Sequence, residues 1–111
     1  MANRIDGFWT LQFTGVQGWG AGVVTLMNGQ AFGGDSGFLY EGTYSQEGSN
    51  MSARVHVASY VRGAMNVMGR DNFDVEFTGT FQGDTITATG VIPGTQLRLT
   101  GSLQKRRELP A

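Results

Sequence analysis

The sequence has no cysteine, a single histidine and little net charge, and each of these shortages excludes a class of protein. Without cysteine there is no disulfide framework and no thiolate metal site, and one histidine cannot share a metal with a second imidazole. Lysine and arginine number 8 against 9 aspartates and glutamates, which gives a formal net charge of −1. A chain with so little net positive charge is not expected to bind nucleic acid non-specifically through electrostatic attraction, so we expect no direct nucleic-acid partner.

Long apolar runs are missing as well. No segment approaches the ~20 apolar residues of a membrane-spanning helix, and residues 1–7 lack the apolar region of a signal peptide. We therefore expect a cytoplasmic protein with no membrane partner. Glycine is abundant, with 18 among 111 residues, but the chain has only 2 prolines and is 40% hydrophobic. This composition predicts one packed domain rather than a disordered segment.

Apolar and polar residues alternate along most of the chain, which is typical of half-buried β-strands. The pair Asn28-Gly29 lies between two of these segments and is a strong hairpin signal, because both residues accept a positive φ. The predicted strands are 9–14, 23–27, 30–32, 38–44, 51–60, 73–81, 85–92 and 97–103. The glycine-rich segments 15–22 and 33–37 are predicted to be loops, and the polar segment 45–50 a turn.

Short strands at this spacing indicate either a closed barrel or a sandwich of two sheets. Closure is favoured, because it removes the unpaired edges that a weakly charged protein protects poorly. We therefore predict an all-β fold, a closed up-and-down antiparallel barrel of about eight strands in a single domain over residues 1–104. Residues 105–111 are predicted to form a polar tail, and residues 63–68 a short helical turn.

A local pattern of large residue, polar residue, glycine, hydroxyl residue and large residue occurs at 40–44, 77–81 and 99–103. Alternation places Gly42, Gly79 and Gly101 on the inward face, and Gly90 belongs to a degenerate fourth copy. Inward glycines indicate strongly curved strands. The alternative is that they open a lumen for an apolar ligand. The candidate ligand-binding residues are then Phe13, Tyr40, Tyr44, Phe77 and Phe81, with Met65 and Met68 at one mouth of the barrel.

No group of residues matches a known catalytic arrangement. Gly34-Asp35-Ser36-Gly37 is similar to the nucleophile motif of chymotrypsin-like proteases, yet His56 follows the serine, whereas that family runs His, Asp, Ser. We interpret this segment as a turn, where aspartate and glycine are common. His56, Asp74 and Glu76 are predicted to point outward. We expect no enzyme activity, no cofactor and no metal site.

Several motifs resemble the negative-regulator family of type III secretion, the GrlR-like proteins. The shared residues follow the pattern N-G, G-G-D, Y-x-G and are Asn28, Gly29, Gly33, Gly34, Asp35, Tyr40 and Gly42. The opening D-G-F-W at 6–9 also agrees. The resemblance implies a calycin- or lipocalin-like barrel, a homodimer, an apolar interior suited to a lipid-like ligand, and repression by binding a transcription activator.

In that family the turn after the Y-x-G strand carries an acidic cluster that the activator binds. The corresponding segment here, 45–49, has a single carboxylate. The candidate partner-binding residues are Gln46 and Glu47 in this turn, with Trp19 on the predicted glycine-rich loop as a further contact residue.

Two functions remain open at this point. The first is a non-enzymatic regulatory protein that acts by binding a protein partner, as the resemblance implies. The second is a carrier or sensor of a small apolar ligand held inside the barrel, which the pattern of large residues and inward glycines favours.

Overall fold

The computed structural model describes residues 5–15, 18–63 and 72–110, and within them the chain forms eight β-strands. The strands are β1 (Gly7–Gly15), β2 (Gly18–Met27), β3 (Gln30–Gly34), β4 (Phe38–Glu47), β5 (Asn50–Ser59), β6 (Asn72–Gln82), β7 (Thr85–Val91) and β8 (Arg98–Arg107). Each strand pairs antiparallel with the next along the chain, and β1 pairs with β8 to close the barrel. The predicted fold class is confirmed.

The predicted glycine-rich loops are wrong for most of their length. β1 extends to Gly15 and β2 begins at Gly18, so most of the segment 15–22 is paired backbone. β3 likewise continues through Gly33 and Gly34, which pair with β4. Glycine has a low intrinsic preference for strands, and here backbone pairing outweighs that preference. The glycines of β2 pair with β1, whereas Gly33 and Gly34 pair with strands on both sides.

The strand ends also differ from prediction. β4 continues to Glu47, so the predicted turn at 45–50 shrinks to Gly48 and one serine, and a two-residue hairpin connects β4 to β5. β8 continues to Arg107, three residues past the predicted end of the barrel, because its last residues pair with the start of β1. The predicted helical turn at 63–68, with Met65 and Met68, lies almost wholly outside the described residues.

The up-and-down topology gives the barrel two different ends. At one end, which we call the hairpin end, two-residue turns at 28–29, 48–49 and 83–84 connect consecutive strands, and β1 begins and β8 ends. Asn28 has a φ of 53° and Gly29 a φ of 81°, as the predicted hairpin requires. At the other end, which we call the loop end, lie the connections 35–37 and 92–97, and there β1 and β5 end and β2 and β6 begin.

Inward side chains fill the barrel as two packed clusters. The hairpin-end cluster consists of Ile5, Trp9, Val24, Leu26, Ala31, Tyr44 and Ile86. The loop-end cluster consists of Phe38, Tyr40, Val57, Val75, Ile92 and Leu99. Alternation along each strand therefore places the apolar face inward, as the sequence predicts.

The inward glycines serve different purposes. A Cβ on Gly79 would lie 2.5 Å from the carbonyl oxygen of Thr87, and one on Gly42 would collide with the backbone of Arg54. At these two positions the neighbouring strand comes too close for a side chain, which supports the curvature interpretation. At Gly101, by contrast, an added Cβ would lie 3.7 Å from the carbonyl oxygen of Gln12, an ordinary van der Waals distance, so the position has room for a side chain. No helix within the described residues is long and apolar enough to span a membrane.

Candidate functional site

A cavity of about 140 Å³ lies in the lumen of the barrel and is lined by residues of both clusters. Of the predicted ligand-binding residues, Phe13, Tyr40, Tyr44 and Phe77 line it. Phe81 packs instead against the hairpin-end cluster, where its ring meets that of Trp9 at a centroid distance of 6.3 Å. Alternation correctly identified inward residues, but it carries no information about which end of the barrel an inward residue occupies.

The wall of the cavity is apolar, because the hydroxyls of its two tyrosines are turned to aspartates near the two ends of the barrel. The Tyr44 hydroxyl donates a hydrogen bond of 2.8 Å to Asp6 at the hairpin end. The Tyr40 hydroxyl donates a hydrogen bond to the carboxylate of Asp35 at the loop end. The described lining residues therefore present ring faces and aliphatic groups to the cavity and no exposed polar atom.

Burial and these two carboxylates change the acidity of the tyrosines. Burial raises the pKa of Tyr44 to about 12, and the hydrogen bond to Asp6 acts in the same direction. Burial also raises the pKa of Tyr40 far above its usual value, and the hydrogen bond to Asp35 adds to the effect. Both hydroxyls thus remain protonated donors throughout the physiological pH range.

Asp35 organises the loop end. One carboxylate oxygen accepts hydrogen bonds of 2.9 Å from the backbone N–H groups of Gly37 and Phe38, while the other accepts the Tyr40 hydroxyl. The backbone carbonyl of Asp35 accepts a further hydrogen bond of 2.6 Å from the Tyr60 hydroxyl. The interpretation as a turn is therefore correct for residues 35–37, but no sequence pattern indicated that Asp35 also accepts hydrogen bonds from two tyrosines.

The hairpin end is sealed by the segment that precedes β1. Ile5 is fully buried, and its carbonyl accepts a hydrogen bond of 2.8 Å from the indole N–H of Trp9. Asp6 accepts from Tyr44 and from the backbone N–H of Asn28 at 3.3 Å. These contacts hold the segment across the mouth of the barrel, so the hairpin end offers no path to the cavity through the described residues.

The residues of the family-like motif have architectural positions. Asn28 and Gly29 form a hairpin turn, Gly33 lies against the backbone of β2, and Asp35 and Tyr40 form the hydrogen bond at the loop end. Gly42 allows the close approach of β5. These geometric roles explain the motif without reference to any partner.

The outer surface of the barrel carries an exposed apolar face on β2, β3 and β4. Val23 is 57% exposed, Phe32 42% and Leu39 54%, and we call these three residues the outer apolar face. Trp19 is 73% exposed and lies on β2, not on the predicted loop. Sequence reasoning missed the outer apolar face, although its signal is visible as apolar residues at the outward positions of alternating strands.

The other predicted outward residues are exposed as expected. His56 and Asp74 form a contact of 2.7 Å between β5 and β6, and Arg54 and Glu76 form a second one of the same length. Exposed pairs of this kind contribute little to stability, typically less than ~1 kcal/mol.

The two predicted partner-binding residues on β4 lie at the hairpin end. Gln46 and Glu47 are exposed at the end of the strand, and Gln46 donates a hydrogen bond of 3.0 Å to the carbonyl of Gly48. They are therefore accessible, but they lie apart from the outer apolar face.

No protein-family model matches the chain, and no curated protein matches it significantly. Its membership of a regulator family stays a prediction, and the geometry of the barrel is the firmest basis for a functional proposal.

Proposed function

We propose that this protein is a non-enzymatic carrier or sensor that holds a small apolar ligand in the lumen of its barrel. The observation that supports the proposal is the cavity of about 140 Å³ with its apolar wall, built from the inward faces of the strands. Small closed barrels either fill the lumen with side chains or enclose one small ligand. The absence of cysteine from the chain fits a reducing compartment such as the cytoplasm.

The energetics of the cavity favour occupation. An empty apolar cavity destabilises a protein by ~24 cal/mol per Å³, so a cavity of about 140 Å³ costs roughly 3 kcal/mol. That is a large fraction of the ~5–15 kcal/mol that stabilises a typical domain. An apolar ligand that fills the lumen restores the lost contacts and stabilises the folded state in proportion to its occupancy.

The test is to look for a ligand that accompanies the protein through purification. The protein is purified from its native host without detergent, weighed by native mass spectrometry, and extracted with solvent for gas chromatography. We expect an apolar compound in stoichiometric amount. The variant Gly101→Val places a side chain toward the cavity and should lose the compound, whereas Thr100→Val on the outward face of the same strand should keep it.

A protein that purifies without any bound compound, and that binds no apolar compound added afterwards, would rule out the carrier proposal. Both variants are checked by circular dichroism, so that loss of the compound is separated from loss of the fold.

A second candidate function is protein binding through the outer apolar face, and the exposure of Val23, Phe32 and Leu39 supports it. We propose that this face pairs two copies of the chain in a homodimer that in turn binds a transcription regulator, as the family resemblance implies.

Sedimentation at increasing protein concentration tests whether the chain forms this homodimer. The double variant Phe32→Ser, Leu39→Ser should be monomeric, while Gln46→Ala, Glu47→Ala should leave the dimer intact. A wild-type monomer at high concentration would exclude the dimer.

A further inference from the structure

The size of the cavity limits what the lumen can hold. Its volume is about 140 Å³, close to the ~150 Å³ of an engineered apolar protein cavity that binds benzene or xenon and stays free of water. A lipid with a long acyl chain occupies several times the volume of one ring. Such a lipid enters this barrel only if side chains of the two clusters, which line the cavity, move apart.

The chemistry of the wall limits the ligand further. Tyr40 and Tyr44 are the two tyrosines of the wall, and their hydroxyls already donate to Asp35 and Asp6. Asp35 also lines the cavity, but its two carboxylate oxygens already accept hydrogen bonds from Tyr40 and from the backbone of the loop-end turn. Polar atoms contribute no accessible area to the described wall, so a ligand carboxylate would find no free donor there and would be repelled by the Asp35 carboxylate. Burying an unpaired polar group is unfavourable, and burying an unpaired charge is far more so. The wall thus selects for an uncharged ligand without polar substituents.

The distribution of aromatic side chains indicates the shape of the ligand. Phe13 comes from β1, Tyr40 and Tyr44 from β4, and Phe73 and Phe77 from β6, so rings face the cavity from three separate sectors of the wall. Aromatic rings favour offset-stacked or edge-to-face contacts with one another at centroid distances of ~4.5–7 Å. A flat ring in the cavity can make such contacts on several sides, whereas a flexible chain cannot.

We propose that the lumen binds a neutral, single-ring aromatic hydrocarbon of about the size of benzene or toluene. This inference rests on the proposed carrier function and narrows it to one class of ligand. It differs from the lipid-like ligand that the family resemblance implies, because both the volume and the wall oppose a charged chain.

The experiment compares three probes that separate size from polarity. Toluene, benzoate and dodecanoate are titrated into the ¹⁵N-labelled full-length protein, and amide shifts are followed by NMR. Toluene should bind saturably and shift residues around the cavity, such as Val55 and Val75. Benzoate has the same ring with a charge and should bind at least roughly 100-fold more weakly, because its carboxylate lacks a partner in the lumen. Dodecanoate should not bind in the lumen.

Each result decides a different question. If dodecanoate binds in the lumen more tightly than toluene, or benzoate equals toluene, the ligand class is wrong while the carrier function stands. If none of the three probes binds, the ligand class is wrong, and the co-purification experiment described above decides separately whether the carrier function stands. The variant Gly101→Val should abolish toluene binding, and Thr100→Val should not. The comparison of the three probes uses the wild-type protein alone, so it remains decisive even if a variant fails to fold.

Discussion

The two ends of the barrel are made from the same eight strands and yet are closed in different ways. At the hairpin end, tight turns and the segment before β1 cover the lumen, with Ile5 and Trp9 buried beneath them. At the loop end the connections are longer, and Asp35 holds its turn through hydrogen bonds with Tyr40 and Tyr60. Both ends thus use an aspartate that accepts from an inward tyrosine, but only at the hairpin end does the segment with the aspartate also bury an apolar side chain, Ile5, in the core.

The substitution Trp9→Ala should have the largest effect, because it removes the principal side chain that fills the hairpin end. Trp9 is 1% exposed, and deletion of a buried large aromatic side chain costs roughly 3–5 kcal/mol. Chemical denaturation measures the change in the free energy of unfolding. Trp19→Ala is the matched control, since Trp19 lies exposed on β2 and its loss should change stability by less than ~0.5 kcal/mol. Equal losses of unfolding free energy in the two variants would contradict the assignment of Trp9 to the core and of Trp19 to the surface.

The pair Gly79→Val and Gly101→Val compares two inward glycines. At Gly79 a side chain collides with the backbone of Thr87, so the variant should lose more than ~2 kcal/mol through overpacking and strain. At Gly101 the space is open, and the variant should lose less than ~1 kcal/mol or gain stability by filling the cavity. Thermal unfolding measures both. An unchanged melting temperature for Gly79→Val would show that its neighbouring strand yields easily.

The pair Tyr44→Phe and Tyr40→Phe tests the hydrogen bond at each end. Each variant should lose about 1–2 kcal/mol, because a partly buried aspartate loses a donor. Denaturation at neutral pH measures this loss. If the Tyr40 variant is unaffected, the polar network at the loop end does not contribute to stability.

The wild-type protein should also lose stability as the solution becomes strongly alkaline. The pKa of Tyr44 is about 12 in the folded protein, above the value of 10.0 for a free tyrosine, so the folded state binds its proton more tightly. This contribution is complete below pH 10.0 and is lost as the pH rises toward 12. Tyr44→Phe should lose less stability than the wild type over that interval. Parallel pH profiles for the two proteins would contradict the assignment.

The smallest expected effect concerns the backbone at the two ends. Amide hydrogens beside the tight turns should exchange slowly with deuterium. An example is the Tyr44 N–H, which donates to the Gly29 carbonyl at 2.9 Å. The Ile92 N–H, which donates to the Leu97 carbonyl at 3.2 Å in the loop-end turn, should exchange faster. Exchange measured by NMR at neutral pH tests the order, and the reverse order would place the more stable backbone at the loop end.

The positions of most strands were predictable, because every second residue of a half-buried strand faces the core. Large apolar residues such as Trp9, Val75 and Leu99 mark those inward positions in the sequence. The extents of β1, β2 and β3 were not predictable, since their glycines pair through the backbone and carry no side-chain signal. The contact between Asp35 and Tyr40 was also hidden. Two polar residues five positions apart on a turn and a strand meet only because that turn folds over the mouth of the barrel.

The pairing of β1 with β8 has a consequence for the order in which the chain assembles. β1 begins at Gly7 and its partner β8 ends at Arg107. The edge of β1 that faces β8 therefore stays unpaired until the last strand has been added. Until then, a growing meander presents two open edges to other chains, and contacts so distant in sequence form slowly. Closure of this one seam pairs β1 on both sides and turns an aggregation-prone ribbon into a barrel, and we expect it to be the step that limits the rate of folding.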